Sequence, residues 1–352
     1  MEVVGGKLFD EGLYGCIFTP PLDCKPGSRR GSDTADKDVL NPQVSKLILS
    51  DDAEIEFSIS KMIRRIPLWK NYFVVSESIC APALVQKDKD ISKCIDNPRD
   101  IVKYSVLTMP FGGNPMSTFR FNVRGFDFMS FVKHFLECGA LLNLFGVVHR
   151  DIHQGNILID NEFVPRIIDF NLAIPVNSSV VVEDLSHKYE YSIAQEPPDS
   201  ALVNAIAHGF KADRVIQAVT FKRPTMKQIK NLLGISNQEM ADELEEFYTK
   251  SKAVKAGDTL RWFQIYWRTI DSWAFGINLV DLISRLSLWP EFSASWKKSQ
   301  DKMLPILRRL CAVSPVKRID CVQALNYLDP SSFIIRKYGR AWLAKVGDGK
   351  IL

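Results

Sequence analysis

VVHRDIHQGNILID, residues 147 to 160, followed by Asp169-Phe170-Asn171, is the stretch that decides how this chain is read. Asp151 offers a carboxylate, and Asn156 offers an amide five residues further along the same loop. Asp169 brings a second carboxylate soon after. Phosphoryl transfer from a nucleotide needs little covalent help from a protein. It needs phosphates clamped, metal ions held and an acceptor hydroxyl oriented. A carboxylate at 151 can take or direct the hydroxyl proton. Asn156 and Asp169 can hold metal.

Outward from this stretch, the pattern is β-rich before it and helical around and after it. Residues 7 to 18 alternate around glycines and predict a hairpin. Residues 20 to 38 are rich in Pro, Gly and Ser and predict a loop. Strands are expected at 44–49, 72–76 and 104–109. A helix is expected at 51–66, where Ile55, Ile59, Met62, Ile63 and Ile66 fall at helical spacing. Residues 126 to 145 read as a long buried helix. Residues 157–160 and 165–168 read as a short strand pair. Ser236 to Glu239 form a capping-box pattern that opens another helix. The fold class expected is α+β with two lobes, a small β-rich one and a large helical one.

Bulk properties narrow the partners. The chain has 352 residues, 46% of them hydrophobic, enough for a packed core. Its 45 basic and 41 acidic residues give a net charge of +4, too mild to argue for nucleic acid as a main partner. The seven cysteines include no C-x-x-C pair, which argues against zinc. Their scatter predicts reduced thiols and a cytoplasmic location. Residues 139–148 are too short an apolar run to span a bilayer, and the N-terminus has no signal-peptide pattern.

His149, Arg150, Asp151 and Asn156 meet the H-R-D-x-x-x-x-N pattern, and the chain resembles the eukaryotic-type protein kinases over residues 8 to 328. Its opening GLYGCIFTPPLDC resembles the divergent Ser/Thr kinases of nucleocytoplasmic large DNA viruses. The resemblance implies a kinase small lobe at 1–111 with a loop insertion at about 19–43. A large lobe at 112–328 with a helical insertion at about 200–265, and a tail at 329–352, complete the expected domains. It implies that Gly12, Gly15 and Ile17 cover the phosphates of ATP and that Lys46 of Val44-Ser45-Lys46 pairs with them. Glu56 is the expected carboxylate for Lys46, since Ile59, Ile63 and Ile66 share its helix face; Glu54 is the alternative. Met109 and Phe111 would border the adenine. Asn156 and Asp169 would hold Mg2+ or Mn2+. Glu196-Pro197-Pro198-Asp199, Asp271 of DSWAFG and Arg318 resemble the supporting motifs, with Asp199 and Arg318 as a buried ion pair. Protein substrates follow, with the 200–265 insertion as a site for an activator or docking partner.

Two departures and one set of serines matter. Asn171 stands where the pattern has glycine, and Asn tolerates positive φ. Ser178, Ser179, Ser186 and Ser192 lie where a phosphate could pair with Arg150. His153 stands where protein Ser/Thr kinases carry Lys, and D-x-H-x-x-N is also the pattern of aminoglycoside-type kinases. A small-molecule kinase and a pseudokinase scaffold therefore stand as alternatives to the protein kinase.

Overall fold

The computed structural model describes residues 7–12, 15–31, 42–86, 91–94 and 98–347. Leu13 and Tyr14 of the glycine motif, and residues 32–41 of the expected insertion, lie outside these. The fold is mixed α/β, with an antiparallel sheet early and helices later, compatible with a bilobal kinase-like fold. It divides into two compact units, residues 1–113 with 166–171, and residues 114–165 with 172–352.

The first unit is a six-stranded antiparallel sheet carrying one long helix. Its elements are β1 (Lys7–Gly12), β2 (Gly15–Thr19), β3 (Arg30–Gly31), β4 (Gln43–Leu49), α1 (Ser50–Ile63), α2 (Trp69–Tyr72), β5 (Ser78–Cys80), α3 (Ile91–Cys94) and β6 (Tyr104–Pro110). The strand order is β1-β2-β4-β6-β5-β3. Alternation along β4 sends Leu47 to one face and Lys46 and Ile48 to the other. Leu47 packs with Cys16, Phe18, Cys80 and Val106. Ile48 packs with Ala53 and Phe57 of α1 and with Ile79 and Leu107. Both faces of the strand are thereby covered.

Three expectations need correction here. The strand expected at 72–76 does not form a ladder. Tyr72 ends α2, and Phe73 makes a lone bridge to Ile167. The Val74 N–H donates to the Ile167 carbonyl, and the Ser76 N–H finds the Ser60 hydroxyl instead of a strand. The loop expected at 20–38 contains β3 and a bridge from Cys24 to Pro82. The cysteines are not all reduced. Cys16 is bonded to Cys94, and Cys24 to Cys80, 78 and 56 residues apart in sequence. Sequence scatter hid these pairs because the sheet brings distant strands side by side. Cys138, Cys311 and Cys321 are buried outside these two bridges, and burial pushes the Cys311 thiol up to about 12, which makes it a poor nucleophile.

A bridge over so long a loop removes chain entropy from the unfolded state, typically contributing about 2–4 kcal/mol. Dithiothreitol is therefore expected to lower the melting temperature. Cys24→Ser with Cys80→Ser should reproduce about half of that loss, assuming the two bridges contribute alike. An unchanged melting curve in reductant would show that the bridges do not form in solution.

The second unit contains β7 (Asn114–Pro115), α4 (Phe128–Leu144), β8 (Val147–Val148), β9 (Ile157–Ile159) and, beginning at its edge, β10 (Pro165–Ile167). Then come β11 (Ile174–Pro175), α5 (Val182–Leu185), α6 (Pro198–Ala207), α7 (Ala212–Gln217), α8 (Pro224–Leu233), α9 (Asn237–Lys250), α10 (Lys252–Lys255) and α11 (Thr259–Tyr266). The last helices are α12 (Ile270–Leu286), α13 (Pro290–Leu310), α14 (Cys321–Leu328) and α15 (Arg340–Val346). Helix α12 is buried along nearly its whole length and packs against α4, α8 and α13. Helix α9 opens with the expected capping box, Ser236 accepting from the Glu239 N–H and Glu239 from the Ser236 N–H. The 200–265 segment is thus helical and rests on α12 through α8. Residues 329–347 are anchored, since Ser332 donates to Glu137 and Trp342 to Asp320. No helix among the described residues is long and apolar enough to cross a membrane.

Candidate active site

The expected site residues fall into two groups, one in each unit. In the first unit, β2 and β4 pair so that Ile17 lies opposite Lys46, and Gly12 and Gly15 close the hairpin. Gly15 has φ +147°, and a Cβ there would lie 2.4 Å from the Leu47 carbonyl oxygen. The approach of β4 alone thus demands a glycine at this position.

Lys46 shares its strand face with Ile48, and that face is covered by α1. Its ammonium meets the Glu56 carboxylate at 2.9 Å and Asp169 at 3.1 Å. Glu54, the alternative, points outward and pairs with Arg30. Burial, the largest influence, pulls the Lys46 ammonium down, but the two carboxylates outweigh it and hold it above its ordinary value. Burial likewise pushes the Glu56 carboxyl up, and Lys46 opposes this. Lys46 is therefore a fixed cation, lodged between two carboxylates.

Asp169 has φ +61°, a left-handed conformation that costs an L-residue about 1–2 kcal/mol. Asn171 is not among the positive-φ residues. The expected need for Asn at 171 is corrected, since the turn places its unusual backbone two residues earlier. Phe170 between them is buried and meets Phe73 edge to face at 5.8 Å. Met109 packs against the Ile48–Phe57 cluster. The Phe111 N–H donates to the Pro42 carbonyl at 2.7 Å, so that amide is engaged within the protein.

In the second unit the loop after β8 is held from beneath by α12. Both carboxylate oxygens of Asp271 accept backbone N–H groups, from His149 at 2.6 Å and Arg150 at 2.8 Å. Asn278 donates to the Ile152 carbonyl. These anchors aim Asp151 outward. Its Oδ2 accepts from Asn156 at 3.2 Å and its Oδ1 from Gln195 at 2.8 Å. Gln195 carried no sequence signal, because the contact spans 44 residues and exists only after folding.

His153 is 3.7 Å from Asp151 through Nε2. Its Nδ1 accepts the Gly155 N–H at 3.0 Å. A nitrogen that accepts carries no hydrogen, so in this arrangement the ring hydrogen sits on Nε2, toward Asp151. Any Cβ at Gly155 would lie 2.7 Å from the His153 ring. His153 and Gly155 are therefore one device, and the H-x-G order is the signal that could have revealed it.

Arg150, expected to await a phosphate, already donates to the Asp184 and Leu185 carbonyls at the end of α5. Ser178 donates to Pro175, and Ser192 to Glu190. The segment from 182 to 199 is closed by further contacts. His187 meets Glu196 at 3.0 Å, the Trp273 indole donates to the Ala194 carbonyl, and Arg223 donates to the Tyr191 and Glu196 carbonyls. Asp199 and Arg318 form a buried pair at 2.6 Å.

The Glu196 hydrogen bond raises the His187 pKa, against burial. A raised value in the folded state means that the folded protein binds the proton more tightly. The stability is whole below about 6.5, the ordinary value, and is lost as pH rises through the folded value. Protease nicking of the 182–196 segment is expected to increase between pH 6 and pH 9, and in His187→Gln to be flat. Parallel profiles for the two proteins would remove the pair from this role.

Donor chemistry suits a hard cation at both expected metal residues. Asp169 gives Oδ1 to Lys46 and keeps its other oxygen. Asn156 uses its Nδ2 on Asp151 and keeps its side-chain oxygen. Oxygen-only donors fit Mg2+ or Mn2+ and disfavour soft metals. No cluster of three or more His, Cys, Asp or Glu residues fit for a metal exists among the described residues.

No family model matches the chain. A protein kinase and PP2C-like domain-containing protein from Oryza sativa subsp. japonica is 58% identical over 33 residues. These are 9% of this chain and span about 5% of that protein's length. The likeness is to a kinase-like protein and covers one short stretch.

Proposed function

We propose that the chain is an ATP-dependent kinase that phosphorylates Ser and Thr of proteins, related to the kinases of large DNA viruses. The observation that carries the reading is the state of Asp151. Its carboxylate is fixed by two side-chain amides, Asn156 and Gln195, on a loop pinned to α12. A positioned carboxylate of this kind accepts a proton from a hydroxyl as it attacks. The Lys46–Glu56–Asp169 arrangement in the other unit supports the same reading, since a buried, permanently charged ammonium is what anionic phosphates require.

The residues then take these parts. Gly12, Gly15 and Ile17 lie along the phosphates of ATP, and Lys46 pairs with them. Met109 and Phe111 border the adenine. Asn156 and Asp169 would each offer a side-chain oxygen to Mg2+ or Mn2+, whose charge would offset that of the phosphates. The acceptor oxygen bonds to the γ-phosphorus, the bond to the ADP oxygen breaks, and the hydroxyl proton passes to Asp151. His153 presents its Nε2 beside Asp151 and assists at the γ-phosphate in place of Lys. Protein acceptors are favoured over small ones because Asp199 and Arg318 fix the end of an elaborately held 182–199 segment, while Asp271 holds the loop that carries Asp151. A site for a small acceptor has no need of that support.

The test is radiolabel transfer from γ-labelled ATP with Mg2+ or Mn2+. Casein, basic protein, histone and a panel of amino-sugar and lipid-headgroup acceptors are offered. Label on protein Ser or Thr supports the reading. Label on a small molecule alone would move the chain to the aminoglycoside-kinase class. Nucleotide binding with no transfer to anything would make it a scaffold.

A further inference from the structure

The first unit contains both disulfides, and the chain holds them in different ways. The Cys24–Cys80 bridge sits inside a set of backbone hydrogen bonds. The Lys25 N–H donates to the Ala81 carbonyl, and the Ala83 N–H to the Asp23 carbonyl. Gln86 adds a side-chain clamp, donating to the Asp23 carbonyl and accepting from the Asp23 N–H. Cutting that bridge leaves the two stretches joined.

The Cys16–Cys94 bridge is held otherwise. Cys94 ends α3, a four-residue helix with no buried residue. So short a helix does not persist by its own hydrogen bonds, and its place depends on ties to the sheet. Ile91 packs against the Leu47 cluster, and α3 lies against β1. The covalent tie is to β2. Cys16 is buried there between Gly15 and Ile17. Alternation along the strand puts Cys16 and Ile17 on opposite faces. Cys16 lies opposite Leu47, and Ile17 opposite Lys46. The bridge therefore grips from behind the hairpin whose front is assigned to the phosphates of ATP. Because β1 is an edge strand of the sheet, the hairpin has a neighbouring strand on one side only.

We propose that Cys16–Cys94 is a thiol–disulfide exchange site, and that its reduction by a dithiol loosens the glycine hairpin and lowers the affinity for nucleotide. The control of nucleotide affinity rests on the kinase reading above; the exchange site does not. The sulfur attacked is that of Cys94, which is half-buried, whereas Cys16 is sealed in the Leu47 cluster. A thiolate of the dithiol bonds to Cys94 Sγ. The bond between the two cysteines breaks, and its electron pair leaves with Cys16 Sγ, which takes up a proton. The second thiol of the reductant then displaces Cys94 from the mixed disulfide. Two electrons pass to the protein, leaving Cys16 and Cys94 as thiols and the reductant as its own disulfide. A small-molecule disulfide reverses the steps. Once α3 no longer backs β2, nucleotide must order the hairpin as it binds, and affinity falls.

The test poises the full-length oxidised protein in graded mixtures of reduced and oxidised dithiothreitol. Free thiols are trapped by alkylation in denaturant and located by mass spectrometry. The affinity for a fluorescent ATP analogue is measured by anisotropy in the same mixtures. Cys16 and Cys94 should be alkylated at a less reducing poise than Cys24 and Cys80. Nucleotide affinity should fall about fivefold across that step, the lower end of usual couplings between two sites. Cys94→Ser should stay at the reduced affinity and ignore the reductant. Cys24→Ser with Cys80→Ser should keep the full response, which separates the exchange site from a general loosening of the unit. Reduction of both bridges together, or of Cys24–Cys80 first, overturns the exchange site. Reduction of Cys16–Cys94 first with unchanged affinity overturns the control of nucleotide binding and leaves the kinase standing. Absence of nucleotide binding at every poise overturns the kinase reading and that control with it, while the order of alkylation still decides the exchange site.

Discussion

Asp151→Asn is expected to lower phosphoryl transfer by about 10²–10⁴-fold, the range that a positioned general base supplies, while the protein remains folded. The substitution keeps the size of the side chain and removes its ability to take a proton. One local adjustment follows from the geometry. Asp151 accepts from two amide donors, Asn156 and Gln195, whereas Asn offers a single accepting oxygen and a donating NH2. Asn156 is buried and also tied to the Asp151 carbonyl. Gln195 is the partner free to turn its amide and accept. The melting temperature should therefore change little, and nucleotide binding should persist. The check is single-turnover transfer from labelled ATP at saturating nucleotide, with the melting curve run beside it. Transfer at a normal rate in the variant would take the proton-accepting role away from Asp151.

Arg318→Met is expected to cost about 3–5 kcal/mol of stability, the effect of breaking a buried ion pair from one side. Arg318 is almost fully buried, and its guanidinium does more than pair with Asp199. It also donates to the carbonyls of Ala312, Val313 and Thr269. All four acceptors lose a donor in the variant. Asp199 keeps the Trp262 indole as a partner, which is not enough to hold a buried charge. Burial already pushes its carboxyl upward, with Arg318 opposing, so without the arginine the folded state binds a proton more tightly still. A native state that holds more protons than the unfolded chain loses stability as pH rises. The variant should be most stable in mild acid and weaken toward neutrality. Asp199→Asn added to Arg318→Met should recover part of the loss, since it removes the unpaired charge. A variant whose loss is independent of pH, and not eased by the second substitution, would show a packing defect instead of a stranded carboxylate.

Much of the fold was legible because it is written at short range. Residues 43–49 and 104–110 form strands and residues 128–144 a helix, close to where alternation and helical period place them. Glu56 was separable from Glu54 by the same means, because a helix face is set by residues three, four and seven apart, and Lys46 indeed meets Glu56. The strand at 72–76 failed because its apolar run is buried through a single bridge and a side-chain hydroxyl, which periodicity cannot distinguish from a ladder. The strand at 78–80 was too short to announce itself.

At the candidate site, residue order alone names the chemical groups of one loop, Asp151, His153, Gly155 and Asn156. It also determined that a lysine and a helical glutamate precede them. Five residues of loop can place an amide beside a carboxylate without help from the rest of the chain. The other contacts of the site lie at long range. Gln195 reaches Asp151 across 44 residues, Asp169 reaches Lys46 across 123, and Arg318 reaches Asp199 across 119. The two disulfides belong with these. Such contacts leave no periodic trace, because side chains that meet only through the packing of separate strands and helices are chosen by topology and not by their neighbours in the chain.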